Sequence, residues 1–185
     1  AGHSARVSSD GESIALIASA SPGQPGGVVV LDPEGSRLGE ISGAMAVEVV
    51  PVGDEVVYTV AGGKDAEEIK VASFDGSGER TLVGPARLGV PVVYAHLLPS
   101  PGGSMLEYAA NGDDGYSRAF VVELQGEPTP LALSIRRDTY PLRWGSDGEQ
   151  LFIVEGNAFQ GEKTSVIRVS GDGLGRTVVV EGGGL

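Results

Sequence analysis

The chain has 185 residues, a length that suits one domain or a short repeat array and is ample for a core without metal or disulfide help. Thirty glycines and only 5% aromatics exclude an ordinary helix bundle, since each interior Gly costs about 1 kcal/mol against Ala; the missing G-X-Y period excludes collagen, and 41% hydrophobic residues exclude a disordered polyelectrolyte. The net charge of −12 leaves no basic nucleic-acid footprint and disfavours adhesion to an anionic membrane, and the absence of Cys excludes disulfides, thiolate catalysis and zinc–thiolate sites.

One pattern recurs four times along the chain. Ser8-Ser9-Asp10-Gly11-Glu12 is a polar turn leading into the apolar run Ser13–Ile17. Pro51–Tyr58 repeats it with one residue fewer, followed by Ser100–Tyr108 and Gly145–Ile153. Taking Gly11, Asp54, Gly103 and Gly148 as equivalent, the spacings are 43, 49 and 45 residues. Each copy continues into a second β-rich run: Val28–Leu31, Ile69–Ala72, Ala119–Val122 and Val166–Val169. Short β-branched runs bounded by Gly and Asp read as strands. A second turn follows at Asp32–Gly35, Asp75–Gly78, Gln125–Glu127 and Gly171–Gly173, where Asp and Gly suit positive φ. Outer strands follow, as at Arg80–Val83 and Thr177–Val180. A strand also precedes each first turn, at Ala5–Val7, Ala46–Val50, Val92–Leu98 and Tyr140–Trp144. No segment shows the 3.6-residue period of a helix. Four strands per unit and a period in the forties predict an all-β propeller of four antiparallel blades, over residues 3–43, 44–90, 91–138 and 139–182.

These residues resemble the TolB-like, WD-repeat-like β-propeller repeat family, whose usual signature is Trp-Ser-Pro-Asp-Gly before an apolar strand. Arg143-Trp144-Gly145-Ser146-Asp147-Gly148 is the closest copy. Ser8-Ser9-Asp10-Gly11 keeps Asp-Gly, Ser100-Pro101-Gly102-Gly103 keeps Ser-Pro, and the second copy keeps least. The resemblance implies that strands run from a central channel outward, and it implies a periplasmic or secreted recognition module. The first and second turns then share one face. The long, diverse loops share the other: Ser19–Gly27, Ala61–Glu68, Ala110–Ser117 and Glu155–Thr164, with connectors Gly84–Pro91 and Ser134–Thr139. Diverse loops on a rigid scaffold are where function is carried, so a protein or small ligand is expected on that loop face.

The residues expected to contact it are Arg87, Asp113, Asp114, Tyr116, Arg136, Arg137, Asn157, Phe159 and Lys163. Asp113 and Asp114 beside Tyr116 offer oxygen ligands for a cation, but the spacing is not that of an EF-hand and favours an Asx-rich hairpin. Arg136 and Arg137 can receive an acidic ligand through forked donors, or pair locally with Asp138. Phe159 can anchor a partner or fold back on its own blade. Trp144 reads as packing between blades, and His96 as a satisfied core histidine.

No catalytic constellation is evident. Gly2-His3-Ser4-Ala5-Arg6 lacks the final Gly and the strand–turn–helix setting of a nucleophile elbow. Gly171–Gly175 joins two strands where a phosphate loop would open a helix. No cofactor or metal is called for, and no apolar run of 18 residues suggests membrane insertion. The leading expectation is a non-catalytic binding or scaffold module. The alternatives are the propeller part of a prolyl-oligopeptidase-like hydrolase, or a small enzyme with channel-facing carboxylates. The chain opens on a first strand and closes on a fourth, leaving none to complete a blade from the opposite terminus. Four blades, against the six to eight usual in the family, leave three closures: a four-bladed ring, a homodimer completing a larger propeller, or half of a longer one.

Overall fold

The computed structural model describes residues 5–18, 26–62, 65–84, 96–111, 116–126, 130–133, 138–156, 163–170 and 175–182. All regular structure among them is β-strand. Short hydrogen-bonded turns set the strand ends. In the first repeat the Gly11 amide donates to the Ser8 carbonyl (3.1 Å), and the Ser8 amide donates to the Ser13 carbonyl (2.9 Å). The third and fourth repeats reproduce both bonds, Gly103 to Ser100 with Ser100 to Met105, and Gly148 to Gly145 with Gly145 to Gln150. Gly11, Gly103 and Gly148 all have positive φ, between 67° and 81°, which only Gly adopts without strain. Asp10 and Asp147 each accept an amide two residues on, from Glu12 (3.1 Å) and Glu149 (3.0 Å), the Asx-turn that makes Asp a turn residue. The second repeat differs from the sequence expectation. Its loop is the two residues Gly53-Asp54 between paired Val52 and Glu55, and the positive φ (56°) falls on Gly53, not on Asp54.

The strands are β1 (Ala5–Val7), β2 (Ile14–Ala18), β3 (Gly26–Leu31), β4 (Arg37–Val52), β5 (Glu55–Gly62), β6 (Asp65–Ser73), β7 (Arg80–Val83), β8 (Leu98–Pro99), β9 (Met105–Asn111), β10 (Ser117–Glu123), β11 (Leu131–Ala132), β12 (Thr139–Trp144), β13 (Gln150–Glu155), β14 (Ser165–Ser170) and β15 (Arg176–Glu181). They form a seven-stranded sheet β1 to β7 and two four-stranded sheets, β8–β9–β10–β11 and β12–β13–β14–β15, all antiparallel. The first two repeats therefore do not separate into two four-stranded sheets. They share β4, whose first part pairs with β3 (Leu31↔Arg37 to Val28↔Ile41) and whose second part pairs with β5 (Val49↔Tyr58 to Val52↔Glu55). The strand turns between these parts, where Gly43 (φ 71°) and Met45 (φ 53°) occupy the left-handed region. Extended pairing also replaces most of the loop expected over 61–68, because β5 and β6 pair out to Gly62↔Asp65.

The chain divides into two compact units, Ala1–Leu97 and Leu98–Leu185. Each has its own core, made where the sheet of one repeat meets that of the next. In the first unit Ala15, Ile17, Val28 and Val30 of the first repeat pack with Val49, Val56, Tyr58 and Ala72 of the second. In the second unit Ala119, Val121 and Leu133 of the third repeat pack with Trp144, Leu151, Ile153, Ile167 and Val169 of the fourth. Each fully buried Val, Leu or Ile contributes about 1.5–3 kcal/mol. Close backbone approach tightens the first seam: a Cβ on Gly39 would lie 2.2 Å from the Phe74 carbonyl oxygen, so only Gly fits there. Across the second seam the buried Trp144 indole donates its Nε1–H to the Leu98 carbonyl at 2.8 Å, which is the packing role expected for Trp144 from the signature.

Trp144→Ala is expected to cost about 3–5 kcal/mol through the cavity it leaves, and Trp144→Phe about 1 kcal/mol through the lost hydrogen bond. Urea unfolding followed by far-ultraviolet circular dichroism measures both; a Trp144→Phe variant as stable as the wild type would show that the indole N–H contributes nothing.

Candidate functional site

Antiparallel succession sends the β2–β3, β5–β6, β9–β10 and β13–β14 connections to one end of the strands, and the short turns to the other. At the loop end of the second unit, one residue ties three connections together. Asp138, 2% exposed, accepts the Ser117 amide on its Oδ1 at 2.7 Å, and its carbonyl accepts the Gly156 amide at 2.8 Å. Ser117 begins β10 and Gly156 follows β13, so the roots of two loops are bound to the connector before β12. The neighbouring Thr139, fully buried, accepts the Ala119 amide on Oγ1 at 2.7 Å. The Lys163 carbonyl approaches so closely that a Cβ on Gly156 would lie 2.2 Å from it, and Gly156 has φ 100°, a conformation that excludes side chains. The bond from the Ser117 amide to the buried carboxylate is charge-assisted, and such bonds are short and directional.

Two of the residues expected at a binding surface fall in the described region. Tyr116 is half-buried immediately before Ser117, and Lys163 is exposed beside the Gly156 root, so both stand at the rim of the Asp138 tie. Arg87, Asp113, Asp114, Arg136, Arg137, Asn157 and Phe159 lie outside the described residues.

A second polar cluster joins the first strands of the repeats in the first unit. The Glu48 carboxylate accepts the Arg6 guanidinium of β1 at 3.4 Å and the Leu97 amide at 3.2 Å, while the Glu48 amide donates to Thr59 Oγ1 at 2.9 Å. Burial pushes the Glu48 carboxyl above its ordinary value; the Leu97 amide, Arg6 and His96 pull it the other way. His96 itself is exposed and lies outside the strands. It is therefore not the core histidine that the apolar residues around it suggested; Leu97 takes the buried place instead, 1% exposed.

Sequence reasoning missed Glu107. The turn register makes it equivalent to Ala15 in the first repeat and Phe152 in the fourth, so a carboxylate stands where other copies are apolar. That contrast was the available signal. Glu107 pairs with Leu98 and Val121, which places its side chain on the face turned to the fourth repeat. It is fully buried, and neither carboxyl oxygen has a hydrogen-bond partner. Burial alone lifts its pKa from 4.5 to about 8, so the group sits in the seam as the neutral acid. Among the described residues no cluster of His, Asp and Glu is arranged to hold a metal.

No protein-family profile matches the chain, and no curated protein sequence matches it. Solved structures do. TolB from Acinetobacter baumannii aligns with TM-score 0.65 at 11% identity, over 96% of this chain and 43% of that one. A structure from a study of two prolyl endopeptidases aligns with TM-score 0.69 at 16% identity, over 93% of this chain and 26% of that one. The β-propeller domain of the Trilobed protease from Pyrococcus furiosus, described as having an open velcro topology, aligns with TM-score 0.65 at 12% identity, over 97% of this chain and 57% of that one. The chain thus spans between about a quarter and three fifths of these proteins. Its fold is propeller-like, all-β and antiparallel, and a shared fold of this kind leaves function to the site.

Two outcomes are expected. Asp138→Ala removes the carboxylate that holds the Ser117 amide, so amide hydrogen exchange at Ser117 accelerates at least tenfold while amides in the centre of β13 are unchanged; unaltered exchange at Ser117 would show the tie to be dispensable. Glu107 keeps its proton in the fold between about pH 4.5 and 8, where the unfolded chain has lost it, so stability is highest at the acid side of that window and falls as pH rises through it. The fall amounts to about 3–5 kcal/mol at pH 8. Trp144, the single tryptophan, reports on the same seam: its fluorescence-monitored urea midpoint declines from pH 5 to pH 8 in the wild type and stays nearly level in Glu107→Gln.

Proposed function

We propose that the chain is a non-catalytic β-propeller module of four four-stranded blades that recognises a protein or other ligand on its loop face, in a periplasmic or secreted setting. The observation that carries this reading is the Asp138 tie. It binds the roots of two connections of dissimilar sequence to one rigid base, and binding loops need such a base, because ordering a mobile loop on association costs affinity. Tyr116 at the rim offers an aromatic side chain of the kind that anchors interfaces, and Lys163 offers a point charge for an acidic group. The likeness to TolB structures supports the extracytoplasmic setting.

The prolyl endopeptidase likeness supports a second reading, in which the chain is the propeller portion of a larger hydrolase whose catalytic groups lie in another domain. A reading frame that continues into a hydrolase domain decides for it. A third reading, a small enzyme with channel-facing carboxylates, rests on Glu48.

Affinity capture from the native cells, with captured proteins identified by mass spectrometry, compares the wild type with Tyr116→Ala/Lys163→Glu on the loop face and Glu34→Lys on the turn face. A specific partner is expected to be lost only with the loop-face variant; loss with the turn-face variant alone would move the recognition surface to the other end. The same preparation is expected to show no turnover of generic ester, peptide or glycoside substrates. Hydrolysis that disappears in Glu48→Gln would replace the recognition reading with the enzymatic one.

A further inference from the structure

Each repeat has two sheet faces, and the turn hydrogen bonds put the repeats in register. The Ser8–Ser13 and Gly145–Gln150 bonds are equivalent, so Ile14 and Leu16 correspond to Leu151 and Ile153, and Ala15 and Ile17 correspond to Phe152 and Val154. The face carrying Leu151 and Ile153 is the one by which the fourth repeat packs on the third. The face carrying Ala15 and Ile17 is the one by which the first repeat packs on the second. A seam is therefore always made from one face of each kind.

On the opposite faces of the end repeats, apolar side chains stay partly exposed. In the first repeat, Ile14, Leu16, Val29 and Leu31 are half-buried on the face away from Ala15 and Ile17, with Val7, the cross-strand partner of Ile14, 58% exposed. In the fourth repeat, Phe152, Val154 and Val166 are half-buried, and Val180, paired with Val166, is 54% exposed. A recess of about 420 Å³ opens on this face between Leu142, Arg143, Gln150 and Phe152. Arg168 stands where the first repeat has Val30, as the pairings Phe152↔Arg168 and Ala15↔Val30 show; its methylene stem can lie along the apolar surface with the guanidinium at the rim. Apolar sheet faces of this extent mark interaction surfaces.

We propose that these two open faces are partners, and that the occupant of each is a second copy of this chain: the first repeat of one copy packs on the fourth repeat of the other in the register used by the internal seams. The argument is continuity with an interface the chain already builds twice. The open face of the fourth repeat is of the kind that Ala15 and Ile17 present in the first internal seam, and the open face of the first repeat is of the kind that Leu151 and Ile153 present in the second. One chain thus carries both halves of a further seam of the same type. A two-fold axis forms that seam twice and covers the outer face of both end repeats in each copy. The inference rests on the repeat register and is separate from the loop-face recognition reading, which a monomeric chain would leave standing.

Light scattering on the 185-residue chain at about 50 μM is expected to give twice the chain mass of 18.9 kDa. Leu16→Glu and Phe152→Glu, one on each open face, are each expected to give the monomer. Mixing the two in equal amounts leaves one of the two seams intact and restores a measurable dimer fraction. Val7→Glu and Val180→Glu, at more than half-exposed positions, repeat the test if either first variant loses its circular dichroism spectrum. A monomer for the wild type overturns the inference, whether the faces are then covered by a different protein or by further sequence of a longer chain. A dimer that breaks with Phe152→Glu but survives Leu16→Glu also overturns it, since that pattern belongs to two fourth repeats packed on each other.

Discussion

A β-sheet with apolar side chains on both faces has no stable existence as a single layer, and this constraint organises the whole chain. Alternation sends Ala15 and Ile17 to one side of β2 and Ile14 and Leu16 to the other. Every one of these side chains gains free energy by leaving water, so each repeat requires a neighbour on both faces. The internal seams meet that requirement twice, with Val, Ile, Leu and one Trp interdigitating between sheets. Repetition follows from the same requirement. Once one repeat presents an apolar face of a given register, the next repeat in that register is the surface that fits it.

The seams also explain which polar groups survive inside. Tyr58 is fully buried, yet its hydroxyl reaches the Glu79 carboxylate, which also accepts Lys70 Nζ at 2.7 Å; the ring covers the seam while its polar end escapes to the rim. Lys70 and Tyr58 together hold the Glu79 carboxyl below the ordinary range, Lys70 having the larger effect. Tyr108 holds the equivalent position in the third repeat. It stacks on Phe120 with ring centroids 5.4 Å apart, but its hydroxyl finds no partner. With Glu107 beside it in sequence, the third repeat carries the unsatisfied polar groups of the described core. A buried polar group without a hydrogen bond lowers stability, and for Glu107 the cost is moderated by keeping the carboxyl protonated.

Function in such a fold separates from stability along the strand direction. One end of the strands is closed by short turns whose Asp and Gly residues have conformational work to do. The other end carries connections of different length and sequence, and there the Asp138 tie holds loop roots without prescribing what the loops contain. Ser117 and Gly156 are held by Asp138 through backbone amides, an attachment that does not depend on loop side chains and suits a scaffold that takes different ligands.

Much of the architecture is local and was therefore legible in the residues. Polar turns with Gly at positive φ, such as Gly11, Gly35 and Gly148, are set by bonds between residues three to five apart, and the strands at Arg80–Val83 and Ala119–Val122 follow from β-branched runs beside such turns. Period and turn chemistry thus specified most of the strands and their antiparallel order, although His96 and Leu97, expected within the strand Val92–Leu98, lie outside β8. What the sequence left open depends on residues far apart in the chain. Pairing alone decided that β4 serves two repeats, and that residues 61–68 are mostly strand. Tertiary packing alone exposed His96 in favour of Leu97, joined Asp138 to Ser117 across 21 positions and Trp144 to Leu98 across 46, and buried Glu107 without a partner. Local hydrogen bonds and side-chain alternation are written in neighbouring residues; the choice of which apolar face meets which, and of the polar groups trapped between them, is made only when distant strands come together.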